Sequence, residues 1–249
     1  MLEALGLTLP ELALLSGAAV AAGLVRGFTG FGTALVFLPF AGQVLSPFEA
    51  LTVLIAMDLI GPLPALPGAL RVASKRDLAR LAAGLVLCLP LGLLLLRISP
   101  PEVFRYAVSI FSLLLLAALI SGWRLKGALT PPKVFAAGAA GGLLGGISGL
   151  VGPPVILAYM ASRLPVEVVR GTITLYLVSA DAVMIVLFIL LGTFAFGAVL
   201  LGLALIPAYM LANWVGTRLF RPEREATYRR VAYLVIALSA LLGLPLWET

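Results

Sequence analysis

The chain has 249 residues, 62% of them hydrophobic and 11% charged, with a mean hydropathy of +1.15. A water-soluble core has no use for that much apolar surface, so a soluble enzyme or binding module is excluded and lipid is the solvent that fits. With no histidine and one cysteine, Cys88, His-built metal sites, Ser–His and Cys–His nucleophile pairs and intrachain disulfides are excluded too, and no cofactor is expected.

In chain order, the N-terminus "MLEALGLTLPELALL" carries Glu3 and Glu11, has no basic residue before Arg26 and lacks a cleavage pattern. It is expected to stay as part of the first membrane segment rather than to leave as a signal peptide. Residues 23–40, "GLVRGFTGFGTALVFLPF", then place a glycine cluster inside an apolar run, with a new helix expected near Thr33. Apolar tracts follow at 46–66, 81–97 and 103–123, each close to the roughly 20 residues that cross a bilayer as helix. The polar "GWRLKGALTPPK" leads to a second cluster, "GLLGGISGLVGPPVILAY" at 142–159, with a helix expected near Pro153. Proline suits a first helical turn. Three more tracts close the chain at 172–191, 194–217 and 231–247. Trp123, Trp214 and Trp247, near tract ends, fit interfacial anchoring or packing.

The two clusters are the sign of a repeat. At an offset of 119, Gly23, Gly27, Thr29 and Gly30 fall on Gly142, Gly146, Ser148 and Gly149; at 124, Gly92, Arg97, Phe104 and Arg105 fall on Gly216, Arg221, Tyr228 and Arg229. Residues 1–122 are read as a first membrane repeat, 123–131 as a cytoplasmic linker and 132–249 as a second repeat, together one integral transport domain. The basic residues orient the halves. Fourteen of the 17 Lys and Arg fall in 71–80, 124–133, 163–170 and 218–230, while Arg97 and Arg105 occupy one further loop. If each cluster breaks its segment into a re-entrant hairpin, followed by three membrane helices, the second half is inverted and all fourteen become cytoplasmic. Both termini then lie outside. The expected fold is an all-α polytopic membrane protein of two inverted repeats in the cytoplasmic (inner) membrane.

Irregular backbone in a bilayer persists only where protein or a water-filled cavity surrounds it. A helix that restarts there offers unpaired N–H groups and a positive dipole end, which suits an anion. The residues expected around such a substrate are Arg26, Gly27, Thr29, Gly30, Gly32 and Thr33 in the first cluster and Gly146, Ser148, Gly149 and Gly152 in the second. The alternative is close helix packing through Gly23-x-x-x-Gly27 and Gly138-x-x-x-Gly142-x-x-x-Gly146. For Arg26 the readings are an anion ligand, whose fork of donors matches an oxyanion, or a salt bridge, for instance to Asp58. Asp58 and Asp181, each set in an apolar tract, are either proton carriers or structural partners. Glu49 and Glu167 each follow a proline by two residues and read as caps.

The two glycine clusters, each opening a half and each followed by a helix with proline nearby (Pro39; Pro153 and Pro154), resemble the sulfite exporter TauE/SafE family of membrane transporters over nearly the whole chain. Members often carry a denser glycine run in the first motif; here Thr33 and Val151 stand where glycine is expected, and Arg26 matches Gly145. The resemblance implies a small sulfur-containing anion such as sulfite or a sulfonate as substrate.

Function follows as an expectation. A secondary transporter of a small anion, by alternating access at a midplane site and with protons as a possible coupling ion, fits broken helices and charges at depth. There is no G-x-x-x-x-G-K-[ST] sequence for ATP use. No nucleic-acid partner is expected, since no basic patch is interleaved with aromatics. A passive anion channel is the alternative, ahead of an intramembrane enzyme or an assembly subunit.

Overall fold

The computed structural model describes residues 7–60, 66–122, 129–159, 164–220 and 225–246. Expectations that fall on Glu3, on linker residues 123–128 with Trp123, on Arg163, Arg221 and Arg224, and on Trp247 and Glu248 lie outside the described residues. Among the described residues there are eleven helices and no strand. They are α1 (Leu9–Thr29), α2 (Thr33–Val44), α3 (Pro47–Ile60), α4 (Leu66–Val72), α5 (Lys75–Ile98), α6 (Pro101–Ile120), α7 (Pro131–Ser148), α8 (Gly152–Tyr159), α9 (Val166–Leu190), α10 (Phe196–Leu219) and α11 (Glu225–Leu242). Five of them, α1, α5, α6, α9 and α10, are long and apolar enough to cross a membrane.

Local chemistry sets the helix ends. Thr8 and Glu11 form a capping box at α1, with Thr8 N donating to Glu11 Oε2 at 2.7 Å. Ser46 and Glu49 do the same at α3, where Ser46 N and Oγ donate to Glu49 Oε2 at 3.0 and 2.6 Å, as the capping reading of Glu49 anticipates. Tract 46–66 is helical over Pro47–Ile60 and again from Leu66, and its residues 61–65 lie outside the described residues. Asp58 lies near the end of the described part of α3, and Asp181 is in the middle of α9. The last tract, 231–247, is the apolar part of α11, whose opening turns carry Arg229 and Arg230.

The chain divides into two compact units, each built from both halves of the sequence. The first comprises Met1–Asp58, Pro101–Leu116 and Phe194–Thr249. In it α1 packs along α10 and against α2, and α11 covers α1 and α2. Gly27 is one of the close approaches: a methyl there would lie 2.5 Å from Asn213 O and 2.8 Å from Gly216 Cα, so only glycine lets these backbones touch.

The second unit comprises Leu59–Pro100 and Ala117–Thr193. Here α7 packs along α5, α8 folds back on α7, and α9 packs on α4, α5 and α8. A methyl on Gly146 would lie 2.6 Å from Leu93 N and 2.7 Å from Gly92 Cα. Leucines on the outer faces of α5 and α9, such as Leu87 (63% exposed) and Leu190 (75%), have no protein cover and form surface suited to lipid.

Candidate functional site

The site grows from the interruption between α1 and α2. Gly30 (φ 79°) adopts the left-handed conformation that caps α1, its N–H bonded to Arg26 O at 2.7 Å. Gly32 (φ 103°) precedes the first residue of α2, and no side chain caps that helix start. Two glycines in this conformation interrupt the helix within three residues, a geometry that L side chains resist. The second unit repeats the backbone device. Gly149 (φ 74°) ends α7 with its N–H on Gly145 O at 2.8 Å, and α8 starts at Gly152. The breaks at 30–32 and 149–151 share the offset of 119.

Side chains distinguish the units. In the first, Arg26, in the last turn of α1, donates from Nη1 to Asp58 Oδ1 at 2.7 Å and to Thr33 Oγ1 at 3.1 Å. The Tyr209 hydroxyl of α10 donates to the same Asp58 oxygen at 2.9 Å and lies 3.0 Å from Thr33 Oγ1. One proton arrangement satisfies all four contacts: Arg26 to Thr33, Thr33 to Tyr209, Tyr209 to Asp58, and Arg26 to Asp58. Four helices, α1, α2, α3 and α10, thus close a ring of polar groups beside the start of α2. Its Thr33 and Tyr209 side is sealed, at 2% and 0% exposure, while the Arg26 and Asp58 side chains stay 20% and 22% exposed. The hydrogen bonds of Arg26 to Asp58 and Thr33 both leave from Nη1, and Nη2 and Nε are further donors of the same guanidinium. The counterpart positions in the second unit are Gly145 and Gly152, and Pro153 and Pro154 remove two N–H groups from the start of α8.

The expected site residues therefore take several places. Arg26, Thr33 and Asp58 come together, in the pairing that the salt-bridge alternative anticipates. Gly30 and Gly32 form the turn beside them. Thr29 Oγ1 lies 2.9 Å from Val25 O and 2.8 Å from Phe31 O and accepts Phe31 N–H at 3.3 Å, so it holds the turn. Gly27 lies in the contact with α10, and Gly146 in the contact with α5. Ser148 donates to Leu144 O at 2.8 Å within its own helix. Gly146, Ser148, Gly149, Gly152 and Asp181 belong to the second unit. Tyr209 was not singled out by the sequence. Its signal was a phenol inside the apolar tract 194–217, but nothing local points it at Asp58.

The family model described as "Sulfite exporter TauE/SafE" matches residues 15–242. Among curated proteins, the chain is 29% identical over 230 residues to the "Probable sulfite/organosulfonate exporter TauE" of Cupriavidus necator, covering 87% of this chain and 88% of that one. No solved structure matches. The chain belongs to the sulfite exporter TauE/SafE family and is an integral membrane transporter.

Proposed function

We propose that the protein exports a small sulfur oxyanion, sulfite or an organosulfonate, as a secondary transporter, and that the Arg26 ring is where the anion binds. The observation that carries this reading is a half-open arginine, paired end-on to one carboxylate oxygen, beside an uncapped helix start. Asp58 is then an internal stand-in for the substrate. An entering anion takes up the guanidinium donors that Asp58 leaves free or displaces Asp58 from Nη1, gaining charge-assisted hydrogen bonds and the dipole of α2.

Residues 1–122 and 132–249 are inverted repeats joined by the linker 123–131, each with a re-entrant hairpin, and transport proceeds by alternating access. Support comes from the paired breaks at one offset and from the exchanged glycine contacts. Gly27 meets Gly216, and Gly146 meets Gly92, so each broken helix packs on the corresponding long helix of the other half. The membrane is the cytoplasmic one, with both termini outside, because that places the basic loops inward. An inside-negative potential favours an outgoing anion by about 2.3 kcal/mol per charge per 100 mV. Asp58 and Asp181 are the candidate proton carriers.

Radiolabelled sulfite flux from proteoliposomes tests the reading. Saturable flux, altered by an imposed pH gradient and lost in Arg26→Ala, is expected. A linear, unsaturating flux would favour the channel, and absence of flux for every sulfur oxyanion tried would end the substrate assignment.

A further inference from the structure

A second polar group lies on one face of α6. Arg105, Ser109 and Ser112 follow at intervals of four and three residues, which stacks them on a single stripe of the helix. Sequence reading placed Arg105 in a loop; it is in fact inside α6 and 9% exposed, the one charged residue in the buried class among those described. Ser109 and Ser112 are 0% exposed, and among the described residues neither hydroxyl has a hydrogen-bond partner. Other buried hydroxyls do. Thr52, Ser148 and Ser239 donate to the carbonyl four residues earlier at 2.7–2.8 Å, Thr33 joins the Arg26 ring, and Thr172 accepts from Ser74 N at 3.0 Å. The same back-bond is open to Ser109 and Ser112 in principle, yet their side chains do not take it.

The position of the stripe is informative. A methyl on Gly42, near the end of α2, would meet Arg105 Cγ at 3.3 Å. Thr33, at the start of the same helix, holds Arg26. The two arginines therefore mark opposite ends of α2, about 14 Å apart along its axis. The C-terminal dipole of α2 favours a cation nearby, but it leaves both serines unexplained. A guanidinium followed by two inward hydroxyls is a donor set for an oxyanion.

Resting on the transport reading, we infer that Arg105, Ser109 and Ser112 form a second anion station in the first unit, distinct from the Arg26 ring, at which the sulfur oxyanion is held on its way through the protein. Losing one hydroxyl contact to a charged ligand raises the half-saturation concentration about tenfold.

The test compares Ser109→Ala, Ser112→Ala and the double variant, in proteoliposomes carrying radiolabelled sulfite and by thermal denaturation in detergent. The expected result is impaired sulfite flux, with half-saturation raised about tenfold per hydroxyl, in proteins whose melting temperature equals or exceeds that of wild type, because an unpartnered buried hydroxyl has been removed. Unchanged flux in the double variant overturns the station. Failure of both single variants to fold would make the hydroxyls structural and overturn it equally. If these variants keep wild-type flux while Arg26→Ala loses it, the transport reading stands and only the second station falls; wild-type protein without flux removes both.

Discussion

Replacing Arg26 by alanine removes two hydrogen bonds, to Asp58 at 2.7 Å and to Thr33 at 3.1 Å, and leaves the Asp58 carboxylate with the Tyr209 hydroxyl. Breaking a fully buried ion pair destabilises by 3–5 kcal/mol, roughly. Here both side chains are about one-fifth exposed, so water relieves part of the uncompensated charge and about 2–3 kcal/mol is the expected loss. For a chain of this size that corresponds to a fall of about 5–10 °C in melting temperature. Removing both charges in Arg26→Ala/Asp58→Ala leaves no buried ion unpaired and returns most of the stability. Transport behaves differently. An anion loses its charge-assisted contacts in the single and in the double variant, each contact being worth about 1.5–3 kcal/mol, so both lower sulfite flux at subsaturating concentration by at least about tenfold. Thermal denaturation in detergent and sulfite flux from proteoliposomes read the two quantities on the same preparations. A double variant that regains flux along with stability would show that Arg26 serves the fold alone, and the argument for an anion at this ring would be refuted.

Tyr209→Phe deletes one hydroxyl from the ring without adding volume; it should cost about 1 kcal/mol of stability and raise the half-saturation concentration for sulfite, a titration of flux against concentration being the check. Gly27→Leu and Gly146→Leu drive a side chain into backbone 2.5–2.8 Å and 2.6–2.7 Å from the first added carbon, and size-exclusion profiles of both should show loss of folded protein. Gly30→Ala meets open space but must hold φ at 79°, so it is expected to fold with about 1–2 kcal/mol less stability; a destabilisation as large as that of Gly27→Leu would contradict the distinction between a packing glycine and a turn glycine. Thr8→Ala breaks the α1 capping box and should lower the melting temperature modestly, by about 1 kcal/mol equivalent, with flux unchanged.

The helix breaks were legible in the sequence because they rest on local chemistry. Glycines at 30, 32 and 149 permit a backbone conformation that their neighbours resist, and Pro153 and Pro154 tolerate a helix start and little else in an apolar segment. What the glycines three residues before Gly30 and Gly149 do depends on a partner helix far away in sequence. Gly27 is matched to Asn213 and Gly216, and Gly146 to Gly92 and Leu93, which periodicity along one helix does not reveal. Tyr209 escaped notice for the same reason, lying 151 residues from the carboxylate it serves. Arg105 was placed with Arg97 in a loop. Proline at a first helical position begins α6 there and carries the arginine inside. Asp58 and Asp181 looked equivalent as lone acids in apolar tracts, but Asp58 pairs with Arg26 and Tyr209 in the first unit while Asp181 belongs to the second.

Isothermal titration of sulfite into the purified protein, side by side with Arg26→Ala and with a control at the exposed Arg76, measures the anion site without the rest of the transport cycle. Saturable binding by wild type and Arg76→Ala, weakened at least about tenfold by Arg26→Ala, is the expected result. Equal sulfite affinity in the wild type and Arg26→Ala would contradict the account.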